Sequence, residues 1–355
     1  MPIRVLIVED SAIFQTVLKN IFSTSPEIEV VGTASNGIEG LALIPQLDPD
    51  VICTDFHMPK MDGLEFTKQV MAQYPRPILV ISISVQTEQS HRIFELLEAG
   101  AVDIFAKPRS RVDPDSQINQ LRLINKIKIL AGVKVFRKRT SQGSPKSEFL
   151  PNTLQPTSQA ISLNTTSGIK IVAIGTSTGG PQALQTIFAS LPANFSVPIV
   201  CVQHISQGFL DGLIQWLSLT STLPIEIARS GITPQPGTIY FPPEKKHLEL
   251  NSRGQFICSD APPLGGHRPA VDMTFKSVAQ VYGRNAIAIL LTGMGKDGAA
   301  GMQMIQQAGG LTIAQDQETS VIFGMPKEAI ELGAVKHILP LSEITPFVIE
   351  RLRLQ

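Results

Sequence analysis

The sequence has no excess of charge of either sign. Its 30 Lys and Arg residues are matched by 30 Asp and Glu residues, so the formal net charge at pH 7 is zero. A protein that binds nucleic acid through its phosphate backbone normally carries a basic excess. We therefore expect no nucleic-acid partner for this chain.

Long apolar runs are also missing. No stretch approaches the roughly 18 to 20 apolar residues that a membrane-spanning helix requires, and the apolar run before Glu9 is too short for a signal peptide. Only three cysteines occur, and Cys53, Cys201 and Cys258 lie far apart in the chain. This favours free thiols in a reducing compartment. We expect a cytoplasmic protein without membrane insertion.

The chain of 355 residues is long enough for two domains. In its first part, apolar runs at 3–8, 51–54, 78–81 and 102–105 alternate with amphipathic stretches of helical length, which is typical of a doubly wound parallel sheet. Residues 113–138 are predicted to form a helix, and the segment 140–168 is polar and typical of a flexible linker. We divide the chain into a first domain at 1–122, a linker at 123–168 that is helical and then disordered, and a second domain at 169–355.

After Gly168 the alternating pattern resumes. Apolar runs at 169–174, 198–202 and 286–291 are predicted to be buried parallel strands, with helical patterns at 181–190, 207–218, 271–282 and 298–308. Residues 225–260 are rich in short strand and turn signals, which favours an antiparallel excursion. The predicted fold class is α/β, with two doubly wound parallel-sheet domains joined by a linker.

Five polar residues lie at the ends of predicted strands in the first domain. Glu9 and Asp10 end the first strand, and Asp55 follows the third. Ser82 closes the fourth strand, and Lys107 follows the fifth. Because the carboxyl ends of parallel strands meet at one edge of a sheet, these side chains should converge there. Clustered carboxylates favour Mg²⁺, and one of them can act as a nucleophile toward a phosphoryl group, with Lys107 and Ser82 contacting its oxygens.

Residues 1–122 resemble a two-component receiver domain. The paired acids, the run D-x-x-M-P-x-x-D-G that begins at Asp55, and the Lys-Pro pair at Lys107 carry the resemblance. It implies a flavodoxin-like fold, phosphorylation of Asp55 by a histidine kinase, and Mg²⁺ held by Glu9, Asp10 and Asp55.

One position departs from the receiver pattern. Many receivers carry an aromatic switch residue three positions before the lysine. Here that position is Ile104, and the aromatic residue is Phe105, one position later. The departure concerns the switch and leaves the predicted phosphorylation site unchanged.

The second domain carries a glycine-rich turn directly after its first predicted strand. Residues 175–181 read Gly-Thr-Ser-Thr-Gly-Gly-Pro, with Ser177 at the centre of a G-x-S-x-G motif. This motif exposes a serine nucleophile between a strand and a helix, and the amides at the helix N-terminus could hold an oxyanion. A phosphate-binding loop is the alternative, but neither G-x-G-x-x-G nor Gly-Lys-Ser/Thr is present.

A serine nucleophile needs a base, and four of the six histidines lie in this domain: His204, His247, His267 and His337. His204 directly follows the strand at 198–202, so it lies at the carboxyl end of that strand. His337 lies near the start or middle of a strand, which indicates a structural role, and His247 lies in the predicted antiparallel excursion. His267 lies just before a helix and could line the pocket.

Asp297, in a glycine-rich turn after an apolar strand, is the best candidate for the acid. Ser177, His204 and Asp297 each follow a strand, so they can meet at one edge of the sheet. An α/β-hydrolase has the order Ser, Asp, His, which would require a later histidine such as His267 or His337. Because triads are defined by geometry and not by chain order, the residues alone leave both arrangements open.

Four stretches carry a second resemblance: IGTSTGGP, VQHISQGF, GGHRPAVDMTFKSVA and LTGMGKDGAAG. With them, residues 169–352 resemble the catalytic domain of receiver-linked chemotaxis protein-glutamate methylesterases. The resemblance implies a Rossmann-like hydrolase domain and places the triad on Ser177, His204 and Asp297. It also implies that the backbone N–H of Met294 donates to the oxyanion.

The implied reaction is hydrolysis of glutamate methyl esters on methyl-accepting chemoreceptors, with release of methanol, together with deamidation of receptor glutamines. A chemotaxis histidine kinase would phosphorylate Asp55, which would uncover a hydrolase cleft that the unphosphorylated receiver covers. Phosphorylation is expected to need Mg²⁺, and ester hydrolysis no cofactor. Arg268 is predicted either to steer an acidic receptor segment or to pair with a local carboxylate. The competing hypotheses are a serine hydrolase for small esters and a non-catalytic response regulator.

Overall fold

Five parallel strands form the sheet of the first half. The computed structural model describes residues 1–83, 90–108, 116–135 and 168–353. The strands are β1 (Ile3–Val8), β2 (Ile28–Ala34), β3 (Val51–Thr54), β4 (Ile78–Ser82) and β5 (Asp103–Ala106). Their order is β2-β1-β3-β4-β5, with every pairing parallel. This is the flavodoxin-like order, so the predicted fold of this half is confirmed.

Helices follow the strands and cover both faces of this sheet. They are α1 (Ala12–Phe22), α2 (Gly37–Leu47), α3 (Gly63–Gln73), a 3₁₀ turn (Ser90–Phe94) that leads into α4 (Glu95–Ala99), and α5 (Ser116–Leu130). Three of them begin at a polar N-cap, because the side chains of Ser11, Asn36 and Asp62 each accept a backbone N–H of the first turn. These caps fix where each helix starts after its strand.

Helix α5 packs on the first sheet. Its buried residues Leu123, Ile127 and Leu130 recur at helical spacing and join the apolar core that also contains the β1 side chains. The predicted domain boundary after residue 122 therefore lies inside a helix whose core contacts are with the first half. The helix is shorter than the predicted 113–138, and the polar segment 136–167 lies outside the described residues.

The second half has nine described strands. They are β6 (Ile171–Thr176), β7 (Ile199–Gln203), β8 (Ile225–Ile227), β9 (Ile239–Phe241), β10 (His247–Leu250), β11 (Phe256–Ser259), β12 (Ala286–Leu290), β13 (Leu311–Gln315) and β14 (His337–Leu339). Seven of them form one parallel sheet with the order β14-β13-β12-β6-β7-β9-β8. The predicted doubly wound architecture is confirmed here too.

The predicted antiparallel excursion at 225–260 is only partly correct. β8 and β9 pair in parallel and extend the main sheet beyond β7. Only β10 and β11 form an antiparallel pair, which stands apart as a two-stranded hairpin. Three-residue strands such as β8 and β9 are too short to carry a periodicity that distinguishes the two pairings.

Six of the helices that the structure describes pack on the second sheet. They are α6 (Gly180–Ala189), α7 (Leu210–Ser218), α8 (Val271–Tyr282), α9 (Ala299–Gln307), α10 (Met325–Glu331) and α11 (Leu341–Arg353). The first four match the predicted helical patterns to within a few residues. Among all the helices that the structure describes, none is long and apolar enough to cross a membrane.

The two halves share one continuous apolar cluster. The ring of Phe94 stacks on Trp216 of α7, with centroids 5.6 Å apart and an interplanar angle of 24°. Trp216 Nε1 donates a 2.8 Å hydrogen bond to Glu98 of α4, and Gln185 of α6 donates to the same oxygen at 3.0 Å. The halves are therefore held together by burial of aromatic surface and by hydrogen bonds around its rim.

We predict that Leu123→Ala lowers the free energy of unfolding of the first half by about 2 to 5 kcal/mol, because it leaves a cavity in the core beneath α5. Leu121→Ala is the matched control, since Leu121 lies on the same helix and is 61% exposed. The control should change stability by less than about 0.5 kcal/mol. Urea denaturation of the full chain measures both, and equal effects would contradict the assignment of α5 to the first half.

Candidate active site and phosphoacceptor site

Three neighbouring strands bring the predicted triad to one edge of the second sheet. Ser177 follows β6, His204 follows β7, and Asp297 lies in the turn after β12. β6 lies between the other two, and all three run parallel, so their carboxyl ends coincide. Backbone hydrogen bonds tie these ends together, from Ser177 N–H to Thr292 O (3.1 Å) and from His204 N–H to Thr176 O (3.0 Å).

Glycines allow the turn around Ser177 to close. Gly179 has a φ of 77°, in the left-handed region that favours glycine, whereas Ser177 itself lies outside that region. A Cβ on Gly180 would lie 2.1 Å from Gln203 Oε1, and one on Gly293 would lie 2.8 Å from Cβ of Ser177. The motif therefore brings Ser177 close to the β12 turn without backbone strain at the serine.

His204 and Asp297 form a buried hydrogen-bonded pair. His204 Nε2 lies 2.8 Å from Asp297 Oδ2. The other ring nitrogen, Nδ1, is buried and has no hydrogen-bond partner among the described residues. Gln203 Nε2 donates 2.8 Å hydrogen bonds to the carbonyls of both Ser177 and His204, which fixes the two turns relative to each other. Because Asp297 occupies Nε2, Nδ1 is the nitrogen left to accept a proton from a nucleophile.

The Asp297 carboxylate also lies at the N-terminus of α8. Its Oδ2 accepts the N–H of Val271 at 2.8 Å, and its Oδ1 accepts that of Asp272 at 2.9 Å. Burial alone would raise the pKa of Asp297, but the hydrogen bond with His204 and the two amides outweigh it and hold the pKa below its ordinary value. Asp297 is therefore ionised at neutral pH and can stabilise a charged His204.

Asp272 and Asp297 each accept backbone N–H groups at the start of the helix next to the other residue. Asp297, which precedes α9, accepts the first amides of α8, and Asp272 in the first turn of α8 accepts the N–H of Gly301 in α9 at 2.7 Å. Burial is the main cause that raises the pKa of Asp272, and the nearby charge of Asp297 adds to it. The two helices beside the site are thus held by each other's carboxylates.

His267, one of the two alternative bases, lies face to face with His204. The ring centroids are 3.9 Å apart and the planes differ by 2°. Burial, followed by the charge of His204, lowers the pKa of His267 to about 4, so its ring is neutral at physiological pH. The other alternative, His337, lies in β14, three strands from β6, and packs against Phe347.

Arg268 and Met294 lie in the loops next to this edge. Arg268 Nη1 donates to the carbonyls of Asp260 (3.0 Å) and Ala261 (3.2 Å), so this nitrogen bonds backbone oxygens of its own loop and not a carboxylate. Met294 directly follows Gly293, where only a glycine fits beside Ser177, and Met294 is 37% exposed. Its backbone is therefore next to the serine, while its side chain is partly open to solvent.

In the first half, Glu9, Asp10 and Asp55 form a carboxylate cluster. One ligand atom from each lies within 4.8 Å of the others. Lys107 Nζ donates to Asp55 Oδ2 at 2.7 Å and to Glu9 Oε1 at 2.9 Å. Glu9 Oε2 is buried and lacks a well-directed hydrogen bond, and burial is the main cause that raises the pKa of Glu9. Glu9 Oε2 nevertheless lies 2.8 Å from Lys107 Nζ, so the lysine ammonium pairs with it. The three clustered carboxylates supply the oxygen ligands that a hard cation such as Mg²⁺ prefers.

Lys107 and Ser82 lie at neighbouring strand ends beside this cluster. Ser82 is the buried last residue of β4, and its carbonyl accepts the N–H of Lys107 at 2.8 Å. Burial would lower the pKa of Lys107, but its hydrogen bonds to Asp55 and Glu9 outweigh that effect and raise the pKa. The ammonium is therefore charged and lies against the predicted phosphoacceptor.

Ile104, at the position where many receivers have an aromatic switch residue, and its neighbour Phe105 face opposite sides of β5. Ile104 is buried in the cluster that contains Phe94 and continues into the second half, whereas Phe105 is buried with the apolar side of α5. Successive residues of a strand point to opposite faces. Phe105 therefore cannot replace the missing aromatic residue on the face of Ile104.

The first half lies on the active-site edge of the second. The polar contacts are Lys126 Nζ with Thr178 Oγ1 (3.2 Å), Arg122 Nη2 with Gly266 O (2.5 Å) and Ala106 N–H with Ser206 Oγ (3.2 Å). Their partners in the second half lie within two residues of Ser177, His267 and His204. Lys126 also pairs with Asp103 of β5. The β5–α5 side of the first half therefore covers the edge where these side chains meet.

Comparisons with known proteins match both halves. Residues 5–118 match the family model of the response regulator receiver domain, and residues 172–348 match that of the CheB methylesterase. The chain is 40% identical over 344 residues to the protein-glutamate methylesterase/protein-glutamine glutaminase of Nitrosospira multiformis, covering 96% of this chain and 95% of that protein.

Two further relatives agree with this match. The protein-glutamate methylesterase/protein-glutamine glutaminase 4 of Geobacter metallireducens is 40% identical over 343 residues, covering 96% of each chain. The crystal structure of the Thermotoga maritima CheB methylesterase catalytic domain is 43% identical, with a TM-score of 0.50, and the match covers 52% of this chain and 98% of that one.

We predict that Mg²⁺ stabilises the protein through the carboxylate cluster. At a Mg²⁺ concentration 100 times the dissociation constant, the gain should be about 2.7 kcal/mol. Thermal unfolding with and without the ion measures it, and Glu9→Gln should remove most of the shift. Glu29→Gln, which changes an exposed carboxylate of β2, should keep it. A full shift in the Glu9 variant would show that Mg²⁺ binds elsewhere.

Ser177 should react with a fluorophosphonate probe, and Ser177→Ala should not. Asp297→Asn should slow the labelling by about 100-fold or more, because an amide no longer holds His204 in the tautomer that accepts the proton. Asp260→Asn, which changes an exposed aspartate near the site, is the control and should label at the wild-type rate. Unchanged labelling in Asp297→Asn would exclude the His204–Asp297 pair as the activating unit.

Proposed function

Because this chain belongs to the family of protein-glutamate methylesterases/protein-glutamine glutaminases with a response regulator receiver domain, we propose that it removes methyl esters from glutamate side chains of chemoreceptors and releases methanol. We propose deamidation of receptor glutamines as its second activity. The observation that best supports this proposal is the buried His204–Asp297 pair at the strand edge that carries Ser177. The nucleophile, base and acid of an acyl-transfer site are then adjacent.

The reaction begins with Ser177. Its Oγ attacks the carbonyl carbon of the ester while its proton passes to His204 Nδ1, the nitrogen that Asp297 leaves unoccupied. Collapse of the tetrahedral intermediate breaks the bond to the methoxy oxygen, which leaves as methanol with the proton from His204. Water then attacks the acyl-enzyme by the same route and releases the glutamate carboxylate. For a glutamine substrate the leaving group is ammonia.

The tetrahedral intermediates carry a negative oxygen that needs hydrogen-bond donors. We assign the backbone N–H of Met294 to this role, because Met294 follows Gly293, where an added Cβ would lie only 2.8 Å from Cβ of Ser177. A donor fixed in the backbone needs no reorganisation when the charge develops, and loss of one such donor typically costs about 2.7 to 4 kcal/mol. Arg268, on the neighbouring loop, is proposed to steer an acidic receptor segment toward the site.

Asp55 is the proposed phosphoacceptor. Glu9, Asp10 and Asp55 would hold Mg²⁺, which offsets the charge of the incoming phosphoryl group. Lys107 already lies 2.7 Å from the Asp55 carboxylate and would contact the phosphoryl oxygens, with Ser82 as a hydrogen-bond donor beside it. The phosphodonor is proposed to be a chemotaxis histidine kinase.

Phosphorylation would act by uncovering the hydrolase edge. Helix α5 reaches the Ser177 turn through Lys126 and the His267 loop through Arg122. A receptor segment cannot reach Ser177 while these contacts persist. Moving a two-state balance from 1:99 to 99:1 requires about 5.5 kcal/mol of differential stabilisation. We propose that the phosphoryl group on Asp55 supplies part or all of this shift.

The proposed location is the cytoplasm. The three cysteines are free, and two of them are buried, as is usual for proteins of reducing compartments. A chemoreceptor substrate and a kinase partner would meet the enzyme there. No nucleic-acid partner is proposed.

With methylated receptor membranes as substrate, a small phosphodonor with Mg²⁺ should raise methanol release. The rate follows the uncovered fraction, so a change from 1:99 to 99:1 would raise it about 100-fold. Asp55→Asn should keep the low rate and lose the response. Asp48→Asn is the control, because Asp48 is exposed and has a left-handed backbone (φ 39°) that asparagine also adopts.

Deletion of residues 1–140 tests the covering model separately and should give high activity without a phosphodonor. If the deletion leaves activity unchanged, the inhibitory model is wrong. Methanol release from small esters but not from receptors would favour a small-ester hydrolase instead.

A further inference from the structure

His204 is held by a hydrogen bond at only one of its ring nitrogens. Nε2 bonds Asp297 at 2.8 Å, and Nδ1 has no partner among the described residues. A ring fixed at one atom can still tilt about that bond. Proton transfer needs Nδ1 to point at Ser177 within hydrogen-bond reach, so a second contact has to fix the plane of the ring.

The His267 ring makes that second contact. It covers one face of His204 with a centroid separation of 3.9 Å and an interplanar angle of 2°, closer than the roughly 4.5 to 7 Å usual for aromatic pairs. Parallel contact over a whole face blocks tilting in a way that a hydrogen bond at the ring edge does not. The stacked ring also excludes water from that face.

The loop that carries His267 is built to hold it in place. Leu264 and His267 exchange two 3.0 Å backbone hydrogen bonds across Gly265 and Gly266. These glycines have φ values of 58° and 83°, the conformation of a tight two-residue turn in which both central residues have positive φ. The side chain after the turn therefore leaves it in a defined direction.

A fully buried histidine, His247, fixes both ends of the same loop. Its Nδ1 accepts the N–H of Ala270 at 3.2 Å, so its Nε2 carries the proton and donates to Pro262 O, also at 3.2 Å. Arg268 adds its hydrogen bonds to backbone carbonyls at the start of the loop. Hydrogen bonds therefore hold the loop that carries His267 at both of its ends and at its turn.

We propose that His267 is a positioning residue for the hydrolysis at Ser177: its ring clamps the plane of His204 and so limits the directions in which Nδ1 can point when it accepts the serine proton. This inference rests on the proposed function. In this proposal His267 exchanges no proton with Ser177 or the substrate, and it acts only through its contact with the His204 ring.

The charge state of His267 matters to this role. The charged groups that face it are His204 and Asp297 on the catalytic edge and Arg122 and Lys126 on α5. Three of these four groups are cationic or become so during the reaction. They disfavour a proton on His267, and a neutral ring face can lie against the imidazolium that forms on His204. The neutral His267 ring can therefore stay stacked on His204 whether His204 is neutral or protonated.

The test measures methanol release from methylated receptors by the full chain with a phosphodonor and Mg²⁺. His267→Ala should lower kcat by about 10- to 100-fold, as expected for loss of orientation, while KM changes little because the proposed role of His267 is exerted through the His204 ring. His267→Phe, which restores a flat ring, should recover most of kcat. If His267→Ala does not fold, His267→Leu replaces it, because leucine fills the space without a flat face.

His337→Ala is the matched control for loss of a histidine outside the site and should keep wild-type kcat. Wild-type kcat in the Ala or Leu variant would overturn the clamp, and so would an equal loss in His267→Phe or a rise in KM alone. Each of these results would leave the proposed function intact, provided that Ser177→Ala is inactive. Methanol release by Ser177→Ala would instead overturn the proposed function itself.

Discussion

The ionised Asp297 carboxylate is the group on which the proposed catalytic edge depends. Its two oxygens accept hydrogen bonds from His204 and from the first two amides of α8. A buried charge with fewer partners would be costly, since removal of one partner of a buried ion typically destabilises a protein by about 3 to 5 kcal/mol. The donors that keep Asp297 charged are thus the first two amides of α8 and the ring of His204, the proposed base. The carboxylate that holds His204 therefore also caps the start of α8.

The two chemical sites are linked by consecutive residues at the end of β5 and not by a long path through the core. The side chain of Lys107 bonds Asp55, while the N–H of Ala106 donates to Ser206, two residues beyond His204. A shift of the Lys107 backbone would be passed directly to the adjacent Ala106 amide, which contacts the second half. The interface itself is mostly polar at this point, and a typical net hydrogen bond is worth only about 0.5 to 1.5 kcal/mol. A single contact of this size would need only a small differential free energy to be broken.

The residues that directly follow the predicted strands were the most informative part of the sequence for locating the candidate site. Parallel strands carry their carboxyl ends to one edge, so residues directly after apolar runs can be grouped from the amino-acid pattern alone. This logic favoured His204 as the partner of Ser177, whereas chain order left His267 and His337 open as alternatives. The stacking of His267 depends on a loop whose path is fixed by distant contacts of His247, and no local pattern encodes it. The sequence also did not predict the parallel pairing of β8 and β9. Strands of three residues take their direction from the sheet that they join, and no local pattern encodes it.

Trp216 makes the contact between the two halves accessible to fluorescence. It is the only tryptophan in the chain, it is 1% exposed, and its indole lies between the two halves against Phe94, with Nε1 bonded to Glu98. Indole emission moves to longer wavelength when water replaces an apolar neighbour. Separation of the halves would therefore be visible in the intrinsic fluorescence of the unlabelled protein. Because the one tryptophan lies at this interface, its fluorescence reports whether the two halves are docked.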